Sequence, residues 1–169
     1  MRYSSSITLC VGLLLSACVP ASPGADNAHQ GWVTETFSFY GLSLQHPPAW
    51  TITTENHARV LHHPTDPDTH ISIYGGREWK TEVAERKLGD EFLSMEDHAI
   101  EGGYVTVLTF RNEGPSRYRQ YLFRMTRNEK ESVIVADLIA TVPNNAEGIP
   151  DFSQTTEAEE ILSTVHLIK

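Results

Sequence analysis

The stretch Gly41-Leu42-Ser43-Leu44-Gln45-His46-Pro47-Pro48-Ala49-Trp50 decides how this chain folds. Leu42 and Leu44 alternate with polar residues, which is the period-two pattern of a strand with one buried face. The two prolines end that strand, because proline has no N–H to donate to a sheet. Trp50 is large enough to close one end of a hydrophobic core. We therefore interpret this stretch as a structural motif.

Short segments of the same β type are predicted on both sides of this motif. Turn-forming residues separate them, and the later turns are short enough for an antiparallel meander. The predicted strands cover residues 32–40, 51–54, 59–63 and 70–74 in the first half, and 104–111, 118–127 and 132–141 in the second half.

Two helices are predicted against the sheet. Between residues 79 and 97 the apolar side chains follow three-and-four spacing, which is typical of an amphipathic helix. Gly89 costs this helix about 1 kcal/mol relative to alanine and marks a point where it can break. The strand over 132–141 is apolar on both faces, so a second helix must cover the other face. That helix is expected to begin at Thr155 or Thr156 and to bury Ala158, Ile161, Leu162 and Val165.

The motif at residues 41–50 resembles the opening signature of PsbP-like domains, in which a Gly-aromatic-Ser-aromatic strand leads into aromatic-Pro-x-Gly-Trp. His46 and Ala49 depart from that pattern. The predicted element order also agrees, and residues 161–165 resemble the closing helix of the family. The resemblance implies an α+β fold, an α/β/α sandwich around an antiparallel sheet, shared by photosystem PsbP proteins, DcrB-type bacterial lipoproteins and Mog-type proteins. Family members have no shared chemistry, and their best-described roles are assembly, docking and accessory work.

The N-terminal residues resemble a bacterial lipoprotein signal. After Arg2, residues 7–15 are mostly apolar, which matches a secretory signal and is too short to cross a bilayer. Leu15-Ser16-Ala17-Cys18 resembles the lipobox, in which the cysteine thiol accepts diacylglycerol. We therefore expect a signal peptide over residues 1–17 and lipid attachment at Cys18. Enterobacterial lipoproteins that stay in the inner membrane carry aspartate directly after the lipidated cysteine. This chain has Val19 there, which favours the outer membrane, with the domain facing the periplasm.

Composition divides the rest of the chain into a spacer and a domain. Residues 18–31 are rich in Pro, Ala, Ser, Gly and Asp, which predicts a flexible lipid-anchored spacer. Residues 32–169 have the length of one ordinary domain. The chain has two cysteines, Cys10 and Cys18, so the predicted domain has neither a disulfide nor a cysteine nucleophile. Its net charge of −9 argues against nucleic acid and anionic lipid headgroups as partners.

Histidine and aspartate residues are concentrated around one predicted hairpin, at His62, His63, Asp66, Asp68 and His70. If the loop closes from residue 64 to residue 69, His63 and His70 face each other and the two aspartates can fold over them. Imidazole and carboxylate groups suit zinc or a similar divalent ion. Because adjacent strand residues point to opposite faces, at most one of His62 and His63 can share a site with His70. The spacing matches no closed zinc module, and solvated histidines at strand ends are the alternative.

Asp137 interrupts an apolar strand, where an unpaired buried carboxylate would be unfavourable. Arg117, Arg119 and Arg124 on the preceding strand are within reach, so we expect a structural ion pair rather than a catalytic acid. These arginines alternate with aromatic residues. At a sheet edge such a strand can bind a partner. In the interior of a sheet it is a central strand that fills the sheet, and we favour this second interpretation.

The sequence contains no nucleophile elbow, zinc-protease helix or phosphate-binding glycine loop. We therefore expect a membrane-anchored, non-enzymatic module that binds a protein partner in the cell envelope. We expect no cofactor. Two alternatives stay open, namely a divalent metal-binding protein that uses the hairpin histidines and a hydrolase.

Overall fold

A computed structural model describes residues 29–89, 91–111, 114–127 and 130–168. The predicted signal peptide and the lipid attachment at Cys18 lie outside the described residues. The strands are β1 (Val33–Phe37), β2 (Leu42–His46), β3 (Thr51–Glu55), β4 (Ala58–His62), β5 (His70–Gly75), β6 (Phe92–Ile100), β7 (Gly103–Phe110), β8 (Ser116–Arg127), β9 (Lys130–Thr141) and β10 (His166–Leu167). The helices are α1 (Trp79–Lys87) and α2 (Glu157–Ser163).

The strands form two antiparallel sheets. The larger one has seven strands in the order β3-β4-β5-β9-β8-β7-β6. The smaller one has the order β1-β2-β10. Consecutive strands β6 to β9 form a meander, and the β5–β9 pair joins this meander to the hairpins that precede α1.

Strand β9 separates two hydrophobic clusters, because its side chains alternate between the faces of the large sheet. Ile134, Ala136, Leu138 and Ala140 pack with β2 and α2 in the main core. Val133 and Val135 pack on the other face with Val83 of α1. The prediction that both faces are covered, and with it the α+β sandwich around an antiparallel sheet, is confirmed.

The motif at residues 41–50 anchors the main core as the sequence predicts. Leu42 and Leu44 on β2 are fully buried, and Trp50 is only 3% exposed. Burying a side chain of this size stabilises a fold by about 1.5–3 kcal/mol. The indole Nε1 of Trp50 also donates to Oε1 of Glu157 at 2.6 Å, which ties the motif to the start of α2.

Helix α1 is shorter than predicted. It ends at Lys87, and residues 92–100 belong to β6, so the prediction of one helix over 79–97 is wrong in its second half. A β-bulge between Phe92 and Ser94 explains the misleading spacing. The bulge allows Phe92 and Met95, three residues apart, to pack against the same cluster as Val83.

Helix α2 begins where the sequence predicts. The Thr156 hydroxyl accepts from the backbone N–H of Glu159, and the Glu159 carboxylate accepts from the backbone N–H of Thr156, which completes a capping box. Its predicted stripe is buried, at Ala158, Ile161, Leu162 and Val165. Within the described part of the chain, neither helix is long and apolar enough to cross a membrane.

Candidate functional site

The hairpin between β4 and β5 closes one residue away from the predicted position. His62 pairs with His70 in the register, and the backbone N–H of His63 donates to the carbonyl of Thr69 at 3.1 Å. The expectation that His63 faces His70 is therefore wrong. Thr69 sets this register, because its buried hydroxyl donates to Asp66 and accepts from the backbone N–H of Thr141.

His63 organises the loop. Its Nδ1 accepts from the backbone N–H groups of Asp66, at 3.0 Å, and Thr65, at 3.3 Å, so the ring proton lies on Nε2. Nε2 lies 3.9 Å from Oε1 of Glu157, and the ring meets Trp50 edge-on with 5.3 Å between centroids. His63 therefore links the loop to α2.

The hairpin carboxylates are likewise engaged within the loop. Asp66 accepts from the Thr69 hydroxyl at 2.6 Å and from the backbone N–H of Asp68 at 3.0 Å. The bond from Thr69 is the main reason why the pKa of Asp66 lies below its usual value. Across the described ranges, no group of three or more His, Cys, Asp or Glu side chains is arranged to hold a metal ion. Metal binding by this hairpin stays a prediction.

Asp137 is held by neutral partners. The hydroxyl of Tyr74 donates to its Oδ2 at 2.8 Å, and Nε2 of Gln120 donates to its Oδ1 at 2.8 Å. Gln120 is its direct partner in the β8–β9 register. Arg117 and Arg119 have the opposite parity on β8 and point to the other face. Arg124 shares the face of Gln120, but its guanidinium lies over the Trp79 ring, 4.6 Å from the centroid. The predicted ion pair between Asp137 and these three arginines is therefore wrong.

The environment of Asp137 shifts several pKa values. Burial raises the pKa of Asp137 above its usual value. Burial, together with the nearby Asp137, raises the pKa of Tyr74, and the same causes raise that of Tyr118 to about 12. Both phenols therefore stay protonated near neutral pH, and Tyr74 serves as a hydrogen-bond donor. This arrangement stabilises the junction of β5, β9 and β8.

Arg117 and Arg119 of β8 bind to α2 and its preceding loop. Nη1 of Arg117 lies 2.6 Å from Oε2 of Glu159, and Arg119 pairs with the other carboxylate oxygen. Arg117 and Glu159 are both buried, and Arg117 also donates to the backbone carbonyls of Phe152 and Gln154. Since β8 lies between β9 and β7, the prediction that this strand fills the sheet is confirmed.

Sequence reasoning missed a cleft between the turn that joins β1 to β2 and the turn that joins β3 to β4. The predicted strand over 32–40 in fact ends at Phe37, and the following residues form a turn in which Tyr40 and Gly41 both donate to the Phe37 carbonyl at 3.0 Å. The cleft has a volume of about 420 Å³. We call it the Phe39 cleft, and it is lined by Thr36, Phe37, Ser38, Phe39, Tyr40, Thr54, His57 and Arg59.

The side chains of the Phe39 cleft combine an exposed ring with a cation. Phe39 is 93% exposed and meets the Tyr40 ring edge-on at 5.2 Å. The Arg59 guanidinium lies over the Phe37 ring, 5.6 Å from its centroid. Nη1 of Arg59 donates to the Thr54 hydroxyl at 2.7 Å, and no described carboxylate lies within ion-pair distance of this arginine.

The backbone holds the two turns of the Phe39 cleft together. The Tyr40 hydroxyl donates to the His57 carbonyl at 2.6 Å. Asn56 and His57 have φ angles of 45° and 68°, the conformation of a two-residue type I′ hairpin turn. The position of Asn56-His57 between two β-type segments therefore indicates a turn from sequence alone. Its proximity to the turn between β1 and β2 arises only in the folded chain.

Comparison with known proteins finds similarity at the level of structure. No protein-family model matches the sequence, and no curated protein matches it. The chain is similar to the solution structure of cyanobacterial PsbP (CyanoP) from Synechocystis sp. PCC 6803, with a TM-score of 0.56 and 14% sequence identity. The alignment covers 88% of this chain and 98% of that chain. The chain therefore has a PsbP-like fold, a mostly antiparallel β-sheet with two short helices, as the motif at residues 41–50 predicts.

Proposed function

We propose that this chain is a lipid-anchored accessory module that binds a protein partner in the cell envelope through the Phe39 cleft. The exposure of Phe39 is the observation that carries this proposal. Exposed aromatic rings beside a concave, mostly apolar surface are typical of binding sites, because a partner removes them from water.

The Phe39 cleft is formed before any partner arrives. The hydrogen bond from the Tyr40 hydroxyl to the His57 carbonyl fixes the two turns relative to each other, and the bond from the Tyr40 backbone N–H to the Phe37 carbonyl closes the first turn. A cleft that is already in its binding conformation loses less conformational entropy on association. This rigidity supports a recognition role for the two turns.

The polar groups described outside the Phe39 cleft are engaged within the fold, which supports a binding role rather than catalysis. His63 and Asp66 hold a loop, Asp137 joins three strands, and Glu159 caps α2 and neutralises two buried arginines. Each of these side chains serves the fold in the described part of the chain. The Phe39 cleft, in contrast, presents side chains that the fold leaves exposed.

The expected anchor is compatible with this role. If Cys18 carries acyl chains, the segment over residues 19–32 spans at most about 50 Å when fully extended. A tether of this reach keeps the domain close to the membrane and raises the effective concentration of an envelope partner.

Quantitative affinity capture from solubilised envelopes tests the proposal. Phe39→Ala should lower the recovery of the partner at least tenfold relative to wild type. Leu88→Ala is the matched control, because Leu88 is 84% exposed and lies outside the Phe39 cleft. Equal recovery with all three proteins, or equal losses with both variants, would contradict a role for the cleft.

A further inference from the structure

We infer that the partner supplies an extended peptide segment, which adds as a strand to the free edge of β3, pairs an acidic side chain with Arg59, and places a neighbouring apolar side chain in the Phe39 cleft. This inference rests on the proposed function and specifies the chemistry of the partner.

The two edges of the large sheet differ. Strand β6 carries a β-bulge and the charged or titratable residues Glu96, Asp97 and His98, which are features that discourage pairing with another chain. Strand β3 pairs with β4 in an unbroken register, and the residues from Thr51 to Thr54 are uncharged. In the described ranges, its backbone bonds only to β4. An edge of this kind is a template for strand addition.

The hairpin geometry identifies the backbone groups that face the open edge. In a two-residue hairpin the residues that flank the turn form a hydrogen-bonded pair, and such pairs alternate along the strands. Glu55 and Ala58 flank the turn, so Thr54 and Arg59 form the next, non-hydrogen-bonded pair. The N–H and carbonyl of Thr54 therefore point away from β4, toward an added strand.

Arg59 extends the recognition surface across β3. It is the register partner of Thr54, so both side chains lie on one face, and the guanidinium already donates to the Thr54 hydroxyl. A peptide residue opposite Thr54 would continue this row. Arginine forms strong, directional pairs with carboxylates, so an aspartate or glutamate suits that position.

The Phe39 cleft supplies the apolar half of the site. Side chains two positions apart on a strand share a face, so a peptide with an acidic residue opposite Thr54 presents its second neighbour to the same side. Phe37, Phe39 and Tyr40 offer aromatic surface there. Clefts of about 300–1,000 Å³ hold ligands well, and this cleft falls in that range.

Selection of random seven-residue peptides on the purified full-length protein tests the inference. The enriched sequences should carry Asp or Glu two positions from Leu, Ile or Phe, in an otherwise extended pattern. Enrichment of basic peptides, or the same peptides on wild type and Thr54→Pro, would overturn it.

Fluorescence anisotropy with one enriched, labelled peptide then separates the contacts. Thr54→Pro removes the outward N–H and should weaken binding at least tenfold. Thr53→Val is the control, because Thr53 is exposed on the opposite face of β3 and outside the Phe39 cleft, and its affinity should stay within threefold of wild type. Arg59→Gln should weaken binding about tenfold and reduce its salt dependence. A peptide N-methylated at the residue opposite Thr54 repeats the test with the wild-type protein, which guards against misfolding of the proline variant. Unchanged affinity of that peptide would refute strand addition.

The affinity capture described above distinguishes the two proposals. If Phe39→Ala abolishes capture while Thr54→Pro and Arg59→Gln leave it unchanged, the Phe39 cleft binds its partner without strand addition. If none of these variants changes capture, the proposed function fails as well.

Discussion

The hydroxyl of Tyr74 on β5 donates a hydrogen bond to Oδ2 of Asp137 on β9, with 2.8 Å between the two oxygens. Gln120 on β8 donates to the other carboxylate oxygen, so this one side chain joins three neighbouring strands. Burial raises the pKa of Asp137, because the charged form is poorly solvated there. The folded protein therefore binds the Asp137 proton more tightly than the unfolded chain does.

Asp137→Asn should become more stable relative to wild type as the pH rises. Because the folded pKa lies above the unfolded value of about 3.9, wild type loses stability as pH rises from the unfolded pKa through the folded pKa. Asparagine has nearly the same shape and does not ionise. Urea denaturation of both proteins at a series of pH values from 3 to 8 measures the difference.

The difference between the two proteins isolates Asp137. Asp66 has a lowered pKa and loses its own stabilising effect as the pH falls, but it titrates in both proteins and largely cancels. A stability difference that is flat with pH, or that favours wild type increasingly at higher pH, would show that Asp137 is not held in the environment described.

Glu159→Ala should destabilise the fold by about 3–5 kcal/mol, because it leaves the buried Arg117 without its carboxylate and removes one half of the capping box. Glu160→Ala is the control, since Glu160 is its exposed neighbour on α2 and should cost less than about 0.5 kcal/mol. Chemical denaturation measures both values. Similar losses in the two variants would rule out a special role for the Glu159 ion pairs.

Gly103 is needed for close packing. A Cβ atom at this position would lie 2.2 Å from the carbonyl oxygen of Arg124 and 2.8 Å from Cδ1 of Leu167. Gly103→Ala should therefore lower the free energy of unfolding by at least about 2 kcal/mol. At Gly75 a Cβ atom meets nothing within 4 Å, so Gly75→Ala should leave stability unchanged or raise it by up to about 1 kcal/mol. Thermal unfolding of the pair checks this contrast.

Local patterns predicted much of the fold. The alternation of Leu42 and Leu44, the two apolar faces of residues 132–141 and the cap at Thr156 each depend on neighbours in the chain. The period of side chains along a strand or helix is fixed by backbone geometry, so these patterns translate directly into buried faces. The break at Gly89 was visible as well, but the bulge after Phe92 imitated helical spacing and concealed β6.

The site depended on relationships that a single sequence does not contain. A shift of one residue in register separates His63 from His70. Asp137 pairs with Gln120, which leaves Arg117 and Arg119 on the opposite face of the sheet. The Phe39 cleft arises where two turns from different hairpins meet. The spacing of Phe39 and Arg59 along the chain does not predict that these two turns meet.

Cys18→Ser should release the protein from membranes. Several acyl chains hold a protein stably at a bilayer, and serine has no thiol to accept them. Fractionation of envelopes should therefore find wild type with the membranes and Cys18→Ser mainly in the soluble fraction. Mass spectrometry of the mature N-terminus provides the check on lipidation, and an unmodified terminus at another residue would refute the anchor.

Photo-crosslinking at position 39 in intact cells tests the central claim most directly. A photoreactive phenylalanine analogue in place of Phe39 should form a reproducible adduct with one envelope protein, and the same analogue in place of Leu88 should not, although both positions are highly exposed. Absence of an adduct at position 39, or the same adducts from both positions, would contradict the account that the Phe39 cleft is a binding site.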